Sequence, residues 1–450
     1  MRNFFLDKRG NFGAIFAIVS IPVIGAAGIA VDYARASNAL SFAHAAGDAA
    51  ILAGVQEAKR LYEDGTPIRQ AESAGRAYAI EFFQTQVQVN DNGIYGWFTP
   101  VVRINNNTVS GSLGVDVQIQ TTLSRILDRQ SLPIESTSRA EIQLTQYVDL
   151  HIVIDTSASM GVGADDAAIG QLANATRSIG EPTGCAFACH VPDELRGDVD
   201  PALDTWDTAV AQNIPMRINV VKQAVDRILD DLDAAPSGNR LRVALHTFSN
   251  EVVTVSNPNP SIQNAKNRLA TIELSDDLGA GGTDFHAVFD DLEGIIGTSG
   301  DGSSPSRPRK AVVFITDGLS TNASYSYGGH GGHSLSNPNY TPFLPTIGAP
   351  GSFAQIQGFD ERICDDLKSR NNVTLATLNV SYVIPTQGIR PADTRFRKID
   401  QILKDDIEAH MEACASAPEL SKAAESPAEI QAAMSELLGN LQATTLRLTM

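Results

Sequence analysis

The chain has 450 residues, 34 Lys and Arg against 52 Asp and Glu for a net charge of −18, and an apolar fraction of 43%. This length excludes a small disulfide-stapled scaffold and leaves room for two or three folding units, and the apolar fraction excludes a disordered chain. The acidic balance disfavours a nucleic-acid partner, which needs a basic face.

The first predicted element is a membrane span. Residues 1–9 form a basic stub, with Arg2, Lys8 and Arg9 against Asp7, and residues 10–31 carry no charged side chain. At about 1.5 Å per residue, a helix over 10–31 covers the roughly 30 Å hydrocarbon core. Positive charge ahead of the span predicts a single pass through the cytoplasmic (inner) membrane, with the stub inside and the bulk of the chain periplasmic or extracellular. Two other fates of the leader stay open. One is cleavage at the small residues 25–28, as in a secretory signal. The other is pilin-like processing after Gly10, although Ile15 stands where such precursors carry Glu.

No proline lies between Pro22 and Pro67, and Ala36, Leu40, Ala43, Gly47, Ala50 and Gly54 recur at alternating spacings of four and three. The helix is therefore predicted to continue to about Leu61, as an Ala-rich extension over 32–65. Its small-residue seam predicts the close approach of a second helix, taken to come from the chain's own next domain. Residues 66–146 read as a small α+β domain, with an amphipathic helix over 68–86 and strands over 97–104, 113–121 and 134–144. Val115, Val117 and Ile119 alternate with Asp116, Gln118 and Gln120, one face in and one face out.

From 147 to 450 buried strands alternate with long helices, which predicts an α/β fold with a doubly wound, mostly parallel, Rossmann-like sheet. Strands are predicted over 148–154, 241–248, 311–315 and 373–383, with a helical stripe at Ile218, Val221, Val225, Ile228 and Leu232. A closing helix is predicted from Ser426, with Pro427 in its first turn and Glu429 at the capping-box position. Two insertions, at about 161–215 and 319–355, follow strand ends, the edge at which open α/β sheets bind ligands. About 55 residues are expected between Ser159 and the first helix.

At the end of the first of these strands, Asp155, Ser157 and Ser159 alternate and present one carboxylate and two hydroxyls at the same edge. Thr283 adds a hydroxyl where a helix opens, and Asp317 ends a later strand with a second carboxylate. Five such side chains make an oxygen-only site for a hard divalent cation.

This D-x-S-x-S, Thr, Asp series resembles the metal-ion-dependent adhesion site (MIDAS) of the von Willebrand factor A family, over residues of about 148–448. The resemblance implies Mg²⁺ or another divalent cation among Asp155, Ser157, Ser159, Thr283 and Asp317. It also implies an open coordination position filled by a carboxylate from a protein partner. The leader, KRGNFGAIFAIVSIPVIGAAGIAVDYARASNALSFAHAAGDAAILAG, is similar to that of TadE/TadG-like proteins of bacterial tight-adherence (Flp) pilus systems. A von Willebrand A domain downstream points to the TadG type. Together the two resemblances imply a membrane-anchored protein that assembles or anchors the pilus by metal-dependent binding to a pilus or secretion-apparatus component.

Cys185 and Cys189, four apart, fall near 6 Å on a helical turn, within disulfide reach, and a local bridge is expected there outside the cytoplasm. Zinc through Cys185, Cys189 and His190 and haem attachment are the weaker readings of that segment. Cys364 and Cys414 flank a strand and helix and are candidates for a second bridge. His330 and His333 lack a third ligand nearby. An enzyme is not expected: G-x-S-x-G, H-E-x-x-H and phosphate-loop motifs are all missing, and only His286 offers a base to the serines. The alternatives are a pseudopilin-like structural subunit of the pilus and, behind it, a metal-assisted hydrolase on Asp155 and Asp317. No small-molecule substrate is expected.

Overall fold

The computed structural model describes residues 11–90, 95–105, 107–121, 130–176, 205–234, 240–275, 283–321, 346–347, 356–358, 360–384 and 397–443. The chain divides into two units, Met1–Leu144 and Thr145–Met450.

In the first unit the apolar leader and the Ala-rich segment form one helix, α1 (Asn11–Glu63), which passes Pro22 without a break. It is followed by α2 (Ile68–Asn90), then β1 (Tyr95–Asn105), β2 (Thr108–Gln120) and β3 (Ser131–Gln143), an antiparallel sheet in the order β1-β2-β3. The small-residue seam of α1 is consumed inside this unit. Ala43, Ala46, Ala50, Ile51, Val55 and Ala58 are buried in one core with Phe83, Val102 and Leu113. Where α1 and α2 cross, a Cβ on Gly54 would lie 2.6 Å from the Gly75 carbonyl oxygen, and one on Gly75 would lie 2.5 Å from that of Gly54. Only glycine at both positions lets the backbones meet. The Glu72 carboxylate joins α2 to β1, accepting from the Ile104 N–H at 3.0 Å and facing Arg103 at 3.3 Å. The start of α1 differs from the rest. Ile15, Phe16, Ile18, Val19, Ile21 and Ile24 are all exposed, on every side of the helix, and among the described residues this is the one helix long and apolar enough to cross a membrane.

The second unit opens with β4 (Val148–Asp155), a 3-10 turn at Ala158–Gly161, α3 (Asp166–Ala175), α4 (Thr205–Gln212) and α5 (Arg217–Ala234). Next come β5 (Leu241–Phe248), β6 (Val252–Asn259), α6 (Ile262–Ala270), α7 (Phe285–Ile296) and β7 (Arg309–Thr316). Three two-residue strands, β8 (Ser320–Thr321), β9 (Thr346–Ile347) and β10 (Ile356–Gln357), make a separate small sheet. The chain then runs through β11 (Thr374–Val380), α8 (Lys404–Cys414), β12 (Ser421–Ala424) and α9 (Pro427–Leu441).

The main sheet has the order β12-β11-β7-β4-β5-β6, with β6 antiparallel to β5 and the other pairs parallel. Counted along the chain from β4, this is the doubly wound order 3-2-1-4-5-6. Leu150, Ile152 and Ile154 of β4 face a core shared with α5, α6 and α9, while Val153 faces another shared with α3, α7 and α8. Sheets covered on both faces have strands that read as unbroken apolar runs, which is why this class was legible.

The sequence expectations need correcting at several points. The first insertion is not helix-free, because α3 begins seven residues after Ser159. Asp165 caps it by accepting the Ala168 N–H at 2.8 Å, and Ala168, Ile169, Leu172 and Ala173 form its buried side. The strand expected over 373–383 ends at Val380. Strand β6 is not among the predicted strands; it carries Asn257, Pro258 and Asn259, and at a sheet edge the missing N–H of proline costs no ladder bond. The closing helix does carry its capping box, between Ser426 and Glu429.

Cys364 and Cys414 are joined by a disulfide, with their Cα atoms 5.4 Å apart. Cys185, Cys189, His190, His330 and His333 lie outside the described residues.

Two imidazoles are buried in neighbouring strands, with His151 Nδ1 3.0 Å from His246 Nε2 and the rings stacked 5.3 Å apart. One nitrogen must donate and the other accept, so protonating both rings sets N–H against N–H. Burial, then the second ring and the Lys310 and Arg242 charges, push His151 down to about 3; burial pushes His246 down to about 4. Asp149, which holds Arg242 at 2.6 and 2.7 Å, is the acidic group nearby. Both folded values lie below the unfolded value near 6.5, so the unfolded chain binds more protons over that interval. The stability this pair contributes is full above about pH 6.5 and is lost as pH falls toward the folded values, by up to about 1.4 kcal/mol per pH unit per ring. Urea midpoints measured from pH 7.5 to 4.5 should therefore decline, and a His151→Leu/His246→Leu double variant should show a shallower decline.

Candidate metal centre

Asp155 is the last residue of β4 and Asp317 the first after β7, and β4 and β7 are parallel neighbours. The order of the sheet reverses between these strands, so both carboxylates stand at the switch point where open α/β sheets bind ligands. The turn after β4 is built by Asp155 itself. Its Oδ1 accepts the Ser157 N–H at 2.8 Å, and the 3-10 turn then begins. That turn brings the Ser157 and Ser159 hydroxyls to 3.0 Å from each other. After β7, Gly318 takes φ +72°, and a Cβ there would lie 2.3 Å from Ile407 Cγ2. The left-handed residue lets the chain turn so that the Leu319 N–H donates to Asp317 Oδ1 at 3.0 Å.

Thr283, also buried, immediately precedes Asp284, which caps α7. Its carbonyl accepts from the Ser320 hydroxyl at 3.1 Å, three residues past Asp317. The structure therefore links Asp155, Ser157 and Ser159 in one turn and ties the Thr283 segment to the segment that follows Asp317. The neighbouring Gly281 and Gly282 lie outside the described residues.

Three residues that sequence reasoning missed complete the site. The Thr316 hydroxyl donates to Asp155 Oδ2 at 2.6 Å. The Tyr382 hydroxyl donates to Asp317 Oδ2 at 2.6 Å, and Arg217 Nη1 reaches the same oxygen at 3.3 Å. The Arg217 guanidinium lies over the Tyr382 ring, 4.0 Å from its centre. Signals for two of them existed: Thr316 adjoins Asp317, and Arg217 opens the helical stripe of α5. Tyr382 stands two residues past β11 with no local pattern to single it out.

The electrostatics show what chemistry the site favours. Asp155 is wholly buried, its hydrogen-bond donors on Ser157 and Thr316 are neutral, and burial followed by the Asp317 charge pushes its carboxyl up to about 7. Burial and then Asp317 also drive the Tyr382 phenol well above its ordinary value, so it stays a donor. Two buried carboxylates beside a single guanidinium are short of positive charge, and the other groups offered are hydroxyls. That donor set fits a hard divalent cation. A cleft of about 230 Å³ opens beside the same turn, lined by Thr156, Ser249, Glu251, Glu273 and Ser275 among others.

Comparison with known proteins bears first on the other end of the chain. Residues 10–57 match the family model described as "Putative Flp pilus-assembly TadE/G-like". The N-terminal segment is TadE/G-like. No curated protein matches the chain. Among solved structures, the von Willebrand factor domain of the type V pili tip protein Mfa5 from Porphyromonas gingivalis is 14% identical, covering 67% of this chain and 96% of that one, with a TM-score of 0.35. The pilus adhesin SpaC from Lactobacillus rhamnosus GG is 13% identical, covering 76% and 34%, with a TM-score of 0.36. Proximal thread matrix protein 1 from the mussel byssus, solved with a zinc-occupied MIDAS motif, is 13% identical, covering 65% and 47%, with a TM-score of 0.33. This chain spans about half or less of the first structures it matches. Similarity at this level leaves function to be read from the chain's own residues. For residues 10–57 the likeness is to TadE/G-like pilus-assembly proteins, and α1 is a candidate membrane span by length and composition.

Proposed function

We propose that this protein is a membrane-anchored, exported component that assembles or anchors a bacterial Flp (tight-adherence) pilus through metal-dependent protein binding. In this reading residues 1–9 are the cytoplasmic stub, 10–31 the span, 32–65 the helical extension, 66–146 a supporting α+β domain and 147–450 the von Willebrand A-type binding domain. Asp155, Ser157, Ser159, Thr283 and Asp317 hold the cation, Mg²⁺ in an oxygen-only site, directly or through water. A cation held by these residues would supply a Lewis-acidic position for a carboxylate of the partner. The chain's own residues orient and desolvate that position: Thr316 and the Ser157 N–H fix the Asp155 oxygens, and Tyr382 and Leu319 fix those of Asp317.

The observation that carries this reading is the buried Asp155–Asp317 pair at the sheet switch point, downstream of a TadE/G-like leader. The rival reading, a structural subunit that polymerises along the Ala-rich helix, loses support because that seam is already buried against α2 and the β1–β3 sheet. Calorimetric titration of the detergent-solubilised full chain with Mg²⁺, Mn²⁺ and Ca²⁺ tests the proposal. Saturable binding that disappears in Asp317→Ala is the expected result. A wild-type chain that takes up none of the three ions defeats it and moves the function toward a passive scaffold.

A further inference from the structure

Arg217 is out of place at a site built for a divalent cation. It is the first residue of α5, its backbone N–H donates to the Val162 carbonyl at 2.9 Å, and it is 4% exposed. The guanidinium is held from two sides, by Asp317 Oδ2 at 3.3 Å and by the Tyr382 ring beneath it. Among the described residues, its buried Nε and Nη2 have no hydrogen-bond partner. A buried arginine with unsatisfied donors is costly, and its retention here calls for a compensating role.

We infer that Arg217 is a resident competitor of the metal: a tethered cation that neutralises Asp317 when no divalent ion is bound and holds the affinity of the site down. The inference rests on the metal reading above. An arginine side chain is a fixed positive charge, so it would act on any ion held between Asp155 and Asp317. Asp317 Oδ2 already receives two donors, Arg217 and Tyr382. An entering cation must either share that oxygen with a like charge or displace the guanidinium, and both weaken binding. In return the metal-free domain keeps a partly compensated carboxylate pair and stays folded, so the cation can exchange. Loading then depends on the ambient divalent-ion concentration, rather than on permanent incorporation at folding.

The test is a comparison of Mg²⁺ and Mn²⁺ binding by the full chain, wild type against Arg217→Gln and Arg217→Lys, with melting in EDTA alongside. Arg217→Gln keeps a long polar side chain without the charge. It should melt at a lower temperature than wild type in EDTA and bind Mg²⁺ roughly tenfold tighter or more. Arg217→Lys keeps the charge and should stay near wild-type affinity. Binding by wild type with equal or weaker binding by Arg217→Gln overturns the inference and leaves the metal reading standing. Lysine binding as tightly as glutamine also overturns it, because the cause would then be shape and not charge. Absence of binding in wild type and Arg217→Gln alike overturns the metal reading and this inference with it. Should Arg217→Gln fail to fold, wild-type chain labelled with ¹⁵N at arginine provides a second readout. The Nε resonance that is missing in Arg217→Lys should move when Mg²⁺ is added, and a resonance that stays still overturns the inference.

Discussion

Replacing Cys414 by alanine is expected to destabilise the second unit by about 4 kcal/mol, the chain-entropy figure for opening a loop of this length. The bond spans 50 residues of sequence, from the helical turn Glu361–Cys364 to the end of α8, and crosses β11 on the way. Both cysteines are fully buried in the core face that contains Leu367, Leu403 and Met411. The unfolded chain gains most of the freedom when the link is cut, and the folded state also loses a packed sulfur. Export to an oxidising compartment, as proposed, is the condition under which such a bond forms and persists. Guanidinium melts of oxidised wild type and Cys414→Ala measure the difference directly. Mass mapping of non-reduced peptides that finds Cys364 and Cys414 as free thiols would falsify the premise.

The second large effect is thermodynamic coupling between metal and fold. A cation that binds only the folded site stabilises it by about 2.7 kcal/mol at a concentration one hundred times its dissociation constant. Asp155→Ala should abolish that gain, because it removes the carboxylate that both shapes the turn and supplies half of the site's acidic charge. In EDTA the same variant should remain folded, since the sheet on either side is held by apolar strands that do not depend on the carboxylate. Thermal melts with and without Mg²⁺ separate the two. Unchanged melting in wild type and variant alike would mean that the donor set at the end of β4 is decorative.

These expectations began in the sequence to different degrees. The apolar stretch over 10–31, the long helix that contains it and the strand–helix alternation from 147 were all legible, because hydropathy and period are properties of short windows. Asp155 and Asp317 were legible as well, since each ends an unmistakably buried strand. Helix α3 was hidden in an acidic segment, and β6 was hidden behind Asn257, Pro258 and Asn259, residues whose local preference for loops was overridden by pairing with β5.

By itself, then, the sequence determined the class of sheet, the apolar leader and the oxygen donors placed at strand ends, since each is written in contiguous residues. Tertiary structure alone decided which strands are neighbours, and with them the companions of those donors. Arg217 and Asp317 are 100 residues apart and Tyr382 and Asp317 are 65 apart. No local pattern encodes such meetings; they follow from the order of six strands and from helices packed on both faces. The charge of the site, two buried carboxylates against one stacked guanidinium, is therefore a property of the fold, and it is the property on which the proposed metal affinity would depend.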